Sequence, residues 1–203
     1  MSKYKNWDIV FDYARDCISG KRIANKYRIK ACERFLEDYE SGRYDFDPKD
    51  AEFVIRIIEN TICHQQGEDK EGTPLRGTPF LLMPFHKFII YNILGFYNKG
   101  TRIKRYHECL IFIPRKNVKT SFAGALSYAL GLLYRMSGTK IYVVAEAQKQ
   151  TLETFGFVTY NIKHMGEWDE DGGHFHIIDN NNEHSVKAEI SGGLIELNAM
   201  AAN

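Results

Sequence analysis

Cys109-Leu110-Ile111-Phe112-Ile113-Pro114-Arg115-Lys116-Asn117-Val118-Lys119-Thr120-Ser121 is the stretch on which the reading of this chain turns. Five apolar residues are followed by a short polar loop, and Lys119-Thr120 then open a run that continues to Met136 and carries no charge from Thr120 to Tyr134. A short, fully apolar run predicts a buried parallel strand. The 120–136 run predicts a helix, and Lys140-Ile141-Tyr142-Val143-Val144-Ala145 predicts a second buried strand. Strand, loop, helix, strand is the βαβ unit of a parallel sheet. A polar loop between a buried strand and a helix N-terminus suits a bound phosphate, because loop amides and the helix dipole both point at the anion. The sequence departs from the usual G-x-x-x-x-G-K-[ST] pattern twice, with Ile113 and Val118 at the two glycine positions.

Working outward, a helix is expected over Gln148–Lys163, a strand at Phe175–Ile178, and a hairpin in which Ser191-Gly192-Gly193 joins 186–190 to 194–197. Asn180-Asn181-Asn182 reads as a turn. Upstream, residues 6–40 read as helices interrupted at Gly20. Asp47-Pro48 marks the start of another helix, with Asp47 as N-cap and Pro48 at the first helical position. An apolar helix-like run covers His86 to Tyr97. The Gly- and Pro-rich segment 67–79 is the clearest linker. The expected organisation is therefore an N-terminal helical region, 1–75, and a sheet-containing core, 76–203.

Composition narrows the function classes. The chain has 203 residues with 44% hydrophobic and 26% charged, enough to build a core. A net charge of +1 excludes a strongly basic nucleic-acid-coating protein. Local patches remain: between Arg15 and Arg34 there are seven basic residues against Asp16 and Glu33, which reads either as a DNA- or partner-facing helix or as a solvated helix face. The four cysteines form no CxxC pair, which argues against a zinc site or disulfide framework and suits a reducing cytoplasm. The N-terminus lacks the apolar core of a signal peptide, and no apolar stretch reaches the roughly 20 residues needed to span a bilayer. His174 and His176, near Asp169, Glu170 and Asp171, have no further ligand at regular spacing for a metal.

Several segments together resemble the N-terminal ATPase portion of the large terminase subunit of tailed phages, the motor that packages viral DNA into proheads. Pro114-Arg115-Lys116-Asn117-Val118-Lys119-Thr120 is similar to that family's deviant phosphate loop, Arg-Lys-Asn-Gly-Lys-Ser/Thr, except at Val118. Leu81-Leu82-Met83-Pro84-Phe85-His86 resembles its adenine-side motif, with His86 where Gln is usual. Arg28–Asp38, Phe46–Ala51, Ile62–Gly67 and Val143–Gln150 resemble further segments, so the likeness extends over roughly residues 15–198. It implies an α/β fold with a P-loop NTPase-like parallel sheet, incomplete at the C-terminus and closed by a β-hairpin.

The resemblance also implies ATP and magnesium as cofactors. Lys119 would meet the β- and γ-phosphates, Thr120 would ligate magnesium, and Arg115 would act in cis on the γ-phosphate. Pro114, Lys116, Asn117, Val118, Ser121 and His86 would complete the nucleotide site. Implied partners are double-stranded DNA, the portal protein, the small terminase subunit and further copies of the chain, in the host-cell cytoplasm and with no membrane. The family's acidic strand ending in Asp-Glu is not found; Phe175-His176-Ile177-Ile178-Asp179-Asn180 is the only similar string, and the nuclease domain is absent too. The chain alone is therefore expected to bind ATP without appreciable hydrolysis. The rival expectations are a non-hydrolysing terminase-like remnant and an unrelated P-loop NTPase.

Overall fold

A computed structural model describes residues 4–114 and 117–201. By compactness the chain divides into two units, each discontinuous in sequence: residues 1–56 with 81–112, and residues 57–80 with 113–203. The 67–79 segment lies inside the second unit. Its own turn is shaped by the Asp69 carboxylate, which accepts the amides of Glu71 (2.9 Å) and Thr73 (2.8 Å), and its end is tied to His64, whose amide donates to the Thr78 carbonyl (2.9 Å) and whose carbonyl accepts the Gly77 amide (2.8 Å).

The first unit is helical. Helices α1 (Trp7–Ile18) and α2 (Lys26–Glu40) are separated at Gly20, whose φ of 78° is a left-handed value that favours glycine. Strand β1 (Tyr44–Phe46) leads to α3 (Lys49–Thr61), which starts where Asp47 Oδ1 accepts the Lys49 amide at 3.2 Å. Helix α4 (Pro84–Gly95) is followed by β2 (Phe96–Asn98), which pairs antiparallel with β1. The 86–97 apolar run is therefore shorter as a helix than its hydrophobicity suggests. Its last residues leave α4 because Phe96 pairs with Phe46 and the two rings pack 4.7 Å apart.

An aromatic core of Phe11, Phe35, Phe46, Phe88 and Phe96 fills this unit. Buried polar groups tie it together. Glu52 accepts from the Asn6 amide and from Tyr91 OH, and Lys87 Nζ reaches Asn6 Oδ1 at 2.8 Å. Arg105 forms a buried ion pair with Asp38.

The second unit holds a four-stranded sheet. Helix α5 (Lys119–Tyr134), β3 (Thr139–Ala145), α6 (Gln148–His164), β4 (Phe175–Asp179), β5 (His184–Ile190) and β6 (Gly193–Ala201) follow in order. The sheet order is β3-β6-β5-β4. Only β3 and β6 are parallel; β6–β5 and β5–β4 are antiparallel. The fold is thus mixed α/β, and the sheet is only partly parallel. The turn Ser191-Gly192 has φ values of 53° and 77°, the two positive values that a two-residue type I′ hairpin requires.

Helices α5 and α6 cover one face of the sheet. Gly131 lets α5 approach Ile195 so closely that an added Cβ would lie 3.0 Å from it, while Tyr128 packs on Phe175 and Phe155 on His184. The opposite face carries Lys140, Tyr142, Val144, Leu194 and Met200 toward solvent. Strand β3 is therefore half-exposed and, among the described residues, paired on one side only, instead of the fully buried strand its apolar sequence suggests.

Cys109–Ile113 forms no strand. It has no backbone ladder partner among the described residues, and Leu110 and Phe112 are 92% and 93% exposed. Apolarity alone does not make a strand; a neighbour must take up its amides and carbonyls. The run spans the point where the chain passes from the first unit to the second.

Candidate phosphate site at the start of α5

Helix α5 opens the second unit's main helical pair, and its N-terminus is built without the usual cap. Val118 occupies the N-cap position and offers no side-chain acceptor to the first-turn amides. No acidic residue lies in the first turn, so the positive end of the helix macrodipole is not offset from within. Lys119, exposed, is the first helical residue, and Thr120 and Ser121 follow, half-buried. Behind them Phe122, Ala125, Tyr128 and Ala129 are buried, which fixes the helix against the sheet and α6.

The backbone at Val118 is the exceptional feature. Its φ of 48° and ψ of 31° put it in the left-handed region, which a β-branched residue resists and glycine occupies freely. The conformation is tied to the helix start, because the Val118 carbonyl accepts the Phe122 amide at 2.8 Å. Just upstream, Asn117 Nδ2 donates to the Pro114 carbonyl at 3.4 Å. Arg115 and Lys116 lie outside the described residues.

His86 belongs to the first unit, whereas Lys119, Thr120 and Ser121 belong to the second. The imidazole is 1% exposed at the third position of α4, and its Nδ1 accepts the Met83 amide at 3.2 Å. Burial pushes its pKa down to about 4, so the ring is neutral at pH 7.

The acid-rich segments are occupied by histidines. His174 pairs with Glu167 (2.9 Å), His176 with Asp169 (2.5 Å) and His184 with Asp179 (2.7 Å). The contact with His176 is the main cause that holds the Asp169 carboxyl below its ordinary range. Among the described residues no three His, Cys, Asp or Glu side chains are placed to hold a metal ion. Asp179 ends β4, an antiparallel edge strand at the opposite side of the sheet from β3.

Sequence reasoning missed these three pairs. The His184–Asp179 pair had a legible signal, since the two residues bracket the Asn180–Glu183 turn and face each other in register. The left-handed Val118 had a signal in the sequence, a valine standing where the loop pattern has glycine. No protein-family model matches the chain, and comparison with curated proteins and with solved structures finds no match. Among the described residues no helix is long and apolar enough to cross a membrane.

Proposed function

We propose that the chain binds ATP and magnesium at the N-terminus of α5, as the ATP-binding portion of a DNA-packaging motor of the large-terminase type acting in the host-cell cytoplasm. The observation that carries this reading is the left-handed backbone at Val118, immediately before Lys119 and the uncapped first turn. Backbone strain of this kind costs about 1–3 kcal/mol and concentrates where a ligand is held. It falls at the one place where the Arg-Lys-Asn-Gly-Lys-Thr pattern has glycine. The P-loop-like core is the finer reading of the mixed sheet, and the parallel β3–β6 pair with α5 against it supports that reading. The unpaired Cys109–Ile113 run weighs against a complete core.

The residues present fit a nucleotide's phosphates. The amides at the start of α5 have no acidic side chain in their turn to compete with an anion. Lys119 supplies a positive charge that would neutralise the β- and γ-phosphates, and the Thr120 hydroxyl is a suitable magnesium ligand. Bound magnesium would offset further phosphate charge. Arg115, Lys116 and Asn117 are proposed to complete the cradle, with Arg115 directed at the γ-phosphate. His86 lies in the first unit, where its burial and the Met83 amide it accepts give it a role in starting α4.

Isothermal calorimetry with ATP and magnesium on the whole chain tests the reading. Saturable binding by the wild type and a loss of at least about tenfold in affinity for Lys119→Ala, roughly 1.4 kcal/mol or more, are the expected results. Absence of wild-type binding, or equal binding by Lys119→Ala, would overturn it.

A further inference from the structure

Between α6 and β4 the second unit makes a tight turn that the start of α5 does not use. Its backbone is closed on itself: the Gly173 amide donates to the Trp168 carbonyl at 2.7 Å and the Phe175 amide to the Glu167 carbonyl at 2.8 Å. An added Cβ at Gly173 would lie 2.0 Å from the Glu167 carbonyl carbon, so the close approach admits only glycine. The turn sets two acids beside two histidines. Glu167 Oε2 lies 2.9 Å from His174 Nδ1, and Asp169 Oδ2 lies 2.5 Å from His176 Nδ1. Phe175, between the two histidines, is buried against Tyr128 of α5, so both imidazoles stand on the opposite, open face of the sheet.

A carboxylate at Nδ1 takes the ring proton on that side and leaves the lone pair on Nε2. Nε2 of neither ring has a hydrogen-bond partner among the described residues, and both histidines line one open cavity of about 420 Å³. A row of residues in register crosses the sheet beside it, Lys140, Glu196, Lys187 and His176. Lys140 is neutralised by Glu196 at 3.5 Å and Lys187 by Glu183 at 3.0 Å. Glu189 lines the cavity as well, so Glu167, Asp169, Glu183, Glu189 and Glu196 face only the two ammonium groups of Lys140 and Lys187. Two acceptor lone pairs within a surplus of negative charge suit a cation. Imidazole nitrogen backed by carboxylate selects a transition metal over magnesium or calcium. Fastening the turn does not account for the pairs, because both histidines are more than half exposed, where an ion pair adds little, and backbone hydrogen bonds already close the turn.

We propose that His174 and His176 bind one divalent transition-metal ion through their Nε2 atoms, with Glu167 and Asp169 as positioning residues that fix the two rings. The ion is of the zinc, nickel or copper(II) class, which imidazole suits. Water fills the remaining coordination positions, since among the described residues no third His, Cys, Asp or Glu is placed to ligate it. The site lies wholly within the second unit and is independent of nucleotide at the start of α5.

The test is calorimetric titration of Ni²⁺ into the whole chain, free of any affinity tag and without ATP, in the absence and presence of excess Mg²⁺. Saturable binding of one Ni²⁺ per chain, not displaced by Mg²⁺, is expected. His174→Ala/His176→Ala should abolish it while keeping the circular dichroism of the wild type. Asp169→Asn and Glu167→Gln leave both imidazoles in place, and each should weaken binding by about tenfold or more. A purely structural role for the two pairs would move the urea midpoint of these variants and leave Ni²⁺ affinity unchanged. His107→Ala, His184→Ala and Lys119→Ala should bind Ni²⁺ as the wild type does, so this site and the proposed ATP site are read separately. Absence of saturable binding by the wild type, displacement by Mg²⁺, or equal binding by His174→Ala/His176→Ala would overturn the proposal.

Discussion

Val118 joins two opposing effects in one residue. In the left-handed region an L-residue with a Cβ costs roughly 1–2 kcal/mol, and a β-branched side chain is stiff as well. Glycine at 118 would remove that cost, yet it would also give the unbound chain more freedom to lose, worth about 0.5–1 kcal/mol. With φ observed at 48°, the first effect is the larger. Val118→Gly should therefore tighten ATP binding by up to about tenfold in calorimetry. Equal or weaker binding would mean that the valine side chain itself contributes to the site. His86 shows the opposite case at the same scale: burial keeps its imidazole neutral, and its Nδ1 is committed to the backbone of its own helix start.

The elements were legible wherever one residue's chemistry set a boundary, and illegible wherever a distant partner did. Asp47 and Gly20 mark a helix start and a helix stop through local hydrogen bonding and a positive φ, so both could be read directly. The Ser191-Gly192 turn was readable for the same reason. By contrast, β1 and β2 exist because Tyr44–Phe46 and Phe96–Asn98 pair across about fifty residues, and no local pattern announces that. Cys109–Ile113 is the converse: its composition is that of a strand, but no strand among the described residues takes up its backbone. The α5 loop shows the same division. Lys119 and Thr120 stood out by their order, whereas the backbone twist that accompanies them depends on where the helix begins.

Packing between α5 and α6 gives a prediction at this scale. An added Cβ at Gly124 would lie 2.7 Å from Phe157 Cδ1 and 3.4 Å from the Thr154 carbonyl oxygen, so Gly124→Ala must push α6 away. A destabilisation of about 1–3 kcal/mol is expected from such overpacking, offset only in part by alanine's better helix propensity. Gly156, inside α6, has nothing within 4 Å of the corresponding position. Gly156→Ala should stabilise the protein by up to about 1 kcal/mol. Urea unfolding of the two variants checks the pair, and a Gly124→Ala midpoint at or above that of the wild type would contradict the packing described.

At the scale of the whole molecule, the ATP phosphate site is proposed for the start of α5, in the second unit. The net charge of +1 conceals a local +5 over residues 15–34, nearly cancelled by −4 elsewhere. The central claim is that the left-handed turn before Lys119 is a phosphate cradle, and amide hydrogen exchange with and without ATP and magnesium tests it most directly. Slower exchange on ATP addition is predicted for the backbone from Asn117 to Phe122, with α2 unchanged and with the protection absent in Lys119→Ala. Exchange at 117–122 that ATP leaves unaltered, while the chain binds ATP elsewhere or not at all, would contradict it.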